Sequence, residues 1–135
     1  MTSVEIVAGL SADLTYVVSA DDTALALGSG DVPVLATPRL LAWLESATVA
    51  ALDGVLTATS TSVGTRVELE HKGASAIGAT VTVHASVSHV DGRLVRFEVA
   101  AEQVPAGSTE SRVVATGRIT RVVVDRQRFL APLHP

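Results

Sequence analysis

The chain has 135 residues, of which 47% are hydrophobic, 18% charged and 3% aromatic, and it contains no cysteine. That length predicts a single domain over residues 1–135 with a core of its own, and the missing thiols exclude a disulfide framework, a cysteine nucleophile and a cysteine-based zinc site. Ten Lys and Arg against fourteen Asp and Glu give a net charge of −4, the wrong sign for a nucleic-acid or membrane-surface binder, and four aromatics are too few to stack bases.

Residues 1–13 show no strong period. No Lys or Arg precedes Arg39, so the basic start of a secretory signal is missing and a cytoplasmic protein is expected. A short β-prone run covers 14–19, and 25–34 reads as a loop. Gly28 and Gly30 in it do not make a phosphate loop, because Pro33 stands where a third glycine belongs and no Lys follows. A helix is predicted over 38–52, with Thr37 as N-cap, Pro38 in the first helical position and Gly54 as the left-handed stop. Between Arg39 and Asp53 its only charged residue is Glu45. A helix so apolar is expected to be wrapped by other structure.

The rest of the chain alternates between apolar and polar residues. In 63–71 the odd positions run Val63, Thr65, Val67, Leu69 and His71; 79–89 and 95–101 repeat the scheme, and a last strand spans 111–124. The uncharged stretch 73–90 alternates in the same way, which is a strand pattern and not a membrane span. At the turn 90–92, a three-residue loop with Gly92 left-handed is expected to pair Val87 with Val95 and Ala85 with Phe97. The predicted fold is α+β: a curved five-stranded antiparallel sheet around one long helix.

Few groups could carry chemistry. His84 and His89 lie an odd number apart on one strand, so without a bulge they face opposite ways and share no metal. Gly73-Ala74-Ser75-Ala76-Ile77 fails as a nucleophile elbow at its last position. Glu45 on the apolar helix and His71 on the apolar strand face are expected to meet in one dry interface, as nucleophile or proton carrier. Thr37 offers a hydroxyl beside the free N–H groups of the helix start, suited to an oxyanion, although capping alone would explain it. A strand-end His is also commonly structural. Five arginines crowd the C-terminal stretch (Arg112, Arg118, Arg121, Arg126, Arg128), and Arg121 shares the parity of Val113, Ala115, Ile119 and Val123. Charge pairing or an anion site for ligand phosphates would each account for them.

Taken together, Val34-Leu35-Ala36-Thr37, Trp43-Leu44-Glu45, Gly64-Thr65, His71, Gly78, Asp91-Gly92-Arg93, Gly117, Arg121 and Phe129 resemble the hotdog fold. Within it they resemble the fluoroacetyl-CoA thioesterase family, over roughly residues 10–130. The resemblance implies acyl-CoA thioester hydrolysis by a homodimer with its sites at the subunit interface. It implies Thr37, Glu45 and His71 as the catalytic set, Gly64 beside the acyl group, and no metal or bound cofactor. Arg121 is the expected anion contact for the substrate. The family's aromatic lid residue is missing from Gly30-Asp31-Val32-Pro33, so a small or medium acyl group other than fluoroacetyl is expected. Two other readings are a non-catalytic acyl-CoA or small-ligand-binding module and a hotdog dehydratase or hydratase.

Overall fold

A computed structural model describes residues 5–134; the ends of the expected 1–135 span lie outside the described residues. The chain runs through β1 (Ser11–Val17), a 3-10 turn at Ala20–Asp22, α1 (Ala24–Leu27) and α2 (Thr37–Ala51). Then follow β2 (Ser60–His71), β3 (Thr80–Asp91), β4 (Leu94–Val104), β5 (Arg112–Asp125) and the short α3 (Arg126–Leu130). The five strands form one antiparallel sheet in the order β1-β3-β4-β5-β2, leaving β1 and β2 at its edges.

Strand β1 begins at Ser11, earlier than the predicted 14–19, because its polar face continues back to Asp13, which pairs with His84 of β3. The expected loop at 25–34 begins in a single helical turn, α1, where the Thr23 hydroxyl accepts the N–H of Ala26 and Gly28 ends the turn at φ +70°. Hydrogen bonds from Ala24 N–H to Val34 O and from Ala36 N–H to Asp22 O close this segment against the start of α2.

Helix α2 buries Leu40, Trp43, Leu44, Ala47, Thr48 and Ala51. That spacing makes one continuous stripe. Beneath it lie Val81, Val83, Val95, Phe97 and Ile119, all at most 1% exposed. Trp43 also stacks on Tyr16 of β1 at 4.4 Å between centroids. The helix is not wrapped all round within one chain, as the sequence suggested: Ala42 and Ser46 are open to solvent and Val49 is 51% exposed.

Three bulges set the register, and each corrects a parity read from the sequence. In β3 the extra residue is Ser88, so that Asp91 pairs with Leu94, Val90 with Val95, Val87 with Phe97 and Ala85 with Val99. The turn therefore has two residues, Gly92 (φ +58°) and Arg93. The bulge absorbs the phase that a three-residue turn was expected to absorb. It also puts His84 and His89 on the same outer face, four paired positions or about 13 Å apart. In β5, Val114 is extra, which turns Val113 outward (56% exposed) and away from the face that holds Arg121. In β2 the extra residue is Thr65: Gly64 pairs with Arg121 and Arg66 with Thr120.

Candidate active site

The start of α2 departs from the expected cap. Ala36 is the N-cap residue and Thr37 is the first helical residue, with no side-chain cap. The Thr37 hydroxyl is instead engaged by the last residue of β2, with Oγ1 2.8 Å from His71 Nδ1. Burial holds the His71 imidazole below the ordinary histidine value, partly opposed by a backbone hydrogen bond at Gly73. The ring is therefore neutral near physiological pH. Its Nε2 is shielded from solvent and has no partner among the described residues, so one basic or proton-bearing position remains uncommitted. Beside this pair opens a cleft of about 290 Å³ walled by Gly30, Val32, Val34, Thr37, His71 and Lys72.

Glu45 lies eight residues further along α2, about 12 Å up the helix, and there it meets the middle of β2. The helix runs antiparallel to that strand, so its start meets the strand's end and its centre meets Gly64. A Cβ on Gly64 would stand 2.7 Å from Glu45 Oε2; the glycine leaves the space that the carboxylate fills. Arg121, directly across the sheet from Gly64, points Nη1 at Glu45 Oε2 from 3.6 Å. Its Nε donates to Ser62 Oγ at 2.8 Å and its Nη2 to the Ser62 carbonyl at 3.0 Å. Only 9% of the Arg121 side chain is exposed. Burial lowers its pKa and the Glu45 charge opposes the shift, and an arginine so placed stays a cation. The expectation that Arg121 meets a ligand phosphate does not fit this geometry, because the guanidinium is turned inward onto Ser62 and Glu45.

The five predicted residues thus form two groups. Thr37 and His71 make one; Glu45, Gly64 and Arg121 make the other, joined by Ser62. The two groups share a sheet face, but within one chain Glu45 contacts neither Thr37 nor His71. Glu45 is not in a dry interface, since its side chain is 37% exposed. Ser62 is the residue that sequence reasoning missed. Arg121 on an apolar face signals that a partner exists, but only the register across β2 and β5 shows that the partner is Ser62.

His84 stands elsewhere, on the outer face, where Asp13 Oδ1 and Glu102 Oε1 lie 2.6 and 2.9 Å from its two ring nitrogens. Among the described residues no cluster of His, Asp and Glu could hold a metal, and no helix is long and apolar enough to cross a membrane.

One long helix lying across a five-stranded antiparallel sheet is the architecture of the hotdog fold. The family model for fluoroacetyl-CoA-specific thioesterase matches residues 18–127, and the chain belongs to that family. The fluoroacetyl-CoA thioesterase FlK superposes with a TM-score of 0.82 at 26% identity, over 96% of both chains. A hot-dog-like protein from Thermanaerovibrio acidaminovorans gives 0.80 at 25% identity, over 93% of this chain and 89% of that one. A thioesterase-superfamily protein from Thermus thermophilus gives 0.85 at 24% identity, over 96% and 91%, and supports the fold. No curated protein matches the chain.

Proposed function

We propose that this protein hydrolyses the thioester of a small or medium acyl-CoA, as a homodimer in which Thr37, Glu45 and His71 act together. The observation that carries the reading is the division of the site into two groups along an edge strand. If two copies pair their β2 strands antiparallel about a twofold axis through Glu68, with Thr65 again the extra residue, Gly64 falls opposite the partner's His71. Glu45 then faces the partner's Thr37, and two complete sites form. The outer side of α2, with Val49 51% exposed, and Val67 of β2, 40% exposed, would be covered by the same pairing. Captured complexes of FlK variants with acetyl-CoA, and with fluoroacetate and CoA, support acyl-CoA as the ligand class.

In this site Glu45 either attacks the thioester carbonyl or draws a proton from the attacking water. Neutral His71 carries protons and delivers one to the departing CoA thiolate. Thr37 holds the imidazole, and the N–H groups at the start of α2 face the oxygen on which charge develops. The net reaction adds hydroxide to the acyl carbon and a proton to sulfur. The wall of Gly30, Val32 and Val34 offers a modest apolar cleft without an aromatic lid, which fits a short acyl chain and not fluoroacetyl selectivity.

A panel of acyl-CoA substrates tests the reading, with free thiol as the readout. Glu45→Gln and His71→Ala should each lower turnover on the order of 10²-fold or more. Unchanged turnover in both variants would reject the residue assignment. Retention of acyl-CoA with no release of thiol by the wild type would favour a binding module instead.

A further inference from the structure

We infer that Ser62 is a positioning residue for this reaction, acting through Arg121 to fix the Glu45 carboxylate over Gly64; the inference rests on Glu45 being the reacting carboxylate. A guanidinium carries five N–H donors in one rigid plane, so fixing one edge fixes where the others point. Ser62 takes the Nε–Nη2 edge twice, with its hydroxyl at 2.8 Å and its own carbonyl at 3.0 Å. The remaining Nη1 is left aimed at Glu45 Oε2.

That last contact is 3.6 Å, too long for a hydrogen bond. Arg121 therefore acts on Glu45 as a directed charge and not as a tether. A directed charge is effective only where the cation cannot swing. Glu45 has no other ion pair among the described residues, and 37% of its side chain faces solvent. It has room to leave Gly64, so what keeps it there is the placement of the guanidinium. Burial makes that placement specific: with 9% of the Arg121 side chain exposed, water is a poor substitute for the serine hydroxyl.

The serine is well placed to do this without bearing the fold. It lies on β2 two positions before Gly64, pairs across the ladder with Val123, and its backbone pairing does not depend on the hydroxyl. Removing the oxygen should leave the strand intact and free only the Nε edge of Arg121. Threonine suits a strand and retains the oxygen, so Ser62→Thr should keep the function.

The test compares Ser62→Ala and Ser62→Thr with the wild type. Ser62→Ala should lower kcat about tenfold with KM within about twofold, the size expected for one hydrogen bond to a charged group; Ser62→Thr should restore kcat. In an Arg121→Lys background, which already lacks the Nε donor, Ser62→Ala should add less than about twofold. Equal losses in the two backgrounds, or a loss in KM alone, would overturn the assignment. A second readout does not need turnover. The Arg121 Nε–H signal should be protected from solvent exchange in the wild type and Ser62→Thr and lost in Ser62→Ala, with a shift of the Glu45 carboxyl carbon in the last. If the wild type hydrolyses no acyl-CoA but these signals behave as stated, the thioesterase reading fails and the Ser62–Arg121–Glu45 linkage stands. An unmoved Glu45 signal rejects the linkage itself.

Discussion

At the scale of single residues, Gly64 makes the demand that bears most directly on the Glu45 group. Its missing side chain is the volume into which the Glu45 carboxylate fits, with 2.7 Å between a built Cβ and Oε2. The intruding atom would meet the far end of a flexible side chain, so the cost falls on where the carboxylate stands and not on the sheet. Gly64→Ala should therefore fold, with a melting temperature within a few degrees of the wild type, about 4 °C or less. Its turnover should fall at least about tenfold, since small displacements of a catalytic group are expensive. Normal kinetics with the same melting temperature would show that Glu45 does not need this space. Glu45 and His71 stood out in the sequence because each breaks its local pattern, a charge on an apolar helix and an imidazole on an apolar face; Gly64 entered only through the family resemblance. Thr37 was read as a cap or an oxyanion-side hydroxyl, since nothing in a linear sequence shows that its hydroxyl is spent on His71. Ser62 was not legible because a serine in a strand breaks no pattern; its role comes from a diagonal reach across the β2–β5 ladder.

At the scale of elements, the alternation that predicts strands says which residues share a face only until a bulge intervenes. The strand–helix–four-strand order and the helix follow directly from periodicity and punctuation. The registers did not, because Ser88, Thr65 and Val114 carry no composition that marks an extra residue. One element-level link has a measurable consequence. His84 joins β3 to the edge strand β1 through Asp13 and to β4 through Glu102, which also accepts the Ser111 hydroxyl at 2.8 Å. Burial opposes protonation of His84, but its hydrogen bonds and charge contacts with the two carboxylates outweigh it, and its pKa is raised above the ordinary 6.5. Glu102 is lowered, first by the Ser111 hydroxyl and then by the hydrogen bond to His84. The His84 contribution is thus fully present below its unfolded value and lost as pH rises through the raised folded value. The Glu102 contribution is present above 4.5, its ordinary value, and lost as pH falls through its lowered one. Because these groups are substantially open to solvent, the effect is small. The melting temperature should drop about 1–4 °C more between pH 6 and pH 8 in the wild type than in His84→Gln. Parallel pH curves would remove the link from the account.

At the scale of the whole molecule, a single chain leaves two surfaces uncovered. Its composition, with 47% hydrophobic residues, looks sufficient for one small core, yet α2 leaves Ala42, Ser46 and Val49 outside and β2 leaves a long edge unpaired. Both point to the side on which the two groups of the site stand apart. A charge on that side should separate copies without disturbing the interior. Val49→Glu is expected to sediment as a folded monomer at micromolar concentration and to lose on the order of 10²-fold in kcat/KM, since Glu45 and His71 would no longer meet. A fully active monomer, whether variant or wild type, would place the chemistry within one chain.

Thr65 shows that the length of a strand can be as much a part of a site as any side chain. Gly64 and His71 are seven residues apart, an odd count that in a regular strand sends them to opposite faces. The extra residue between Gly64 and Arg66 cancels that half-turn and lets both look toward the helix. Loss of a single codon there would leave every residue with a proposed role present and spelled correctly, yet it would rotate one group of the site away from the other. Among relatives of this chain, an indel at this point should therefore mark a change of chemistry more reliably than a substitution nearby.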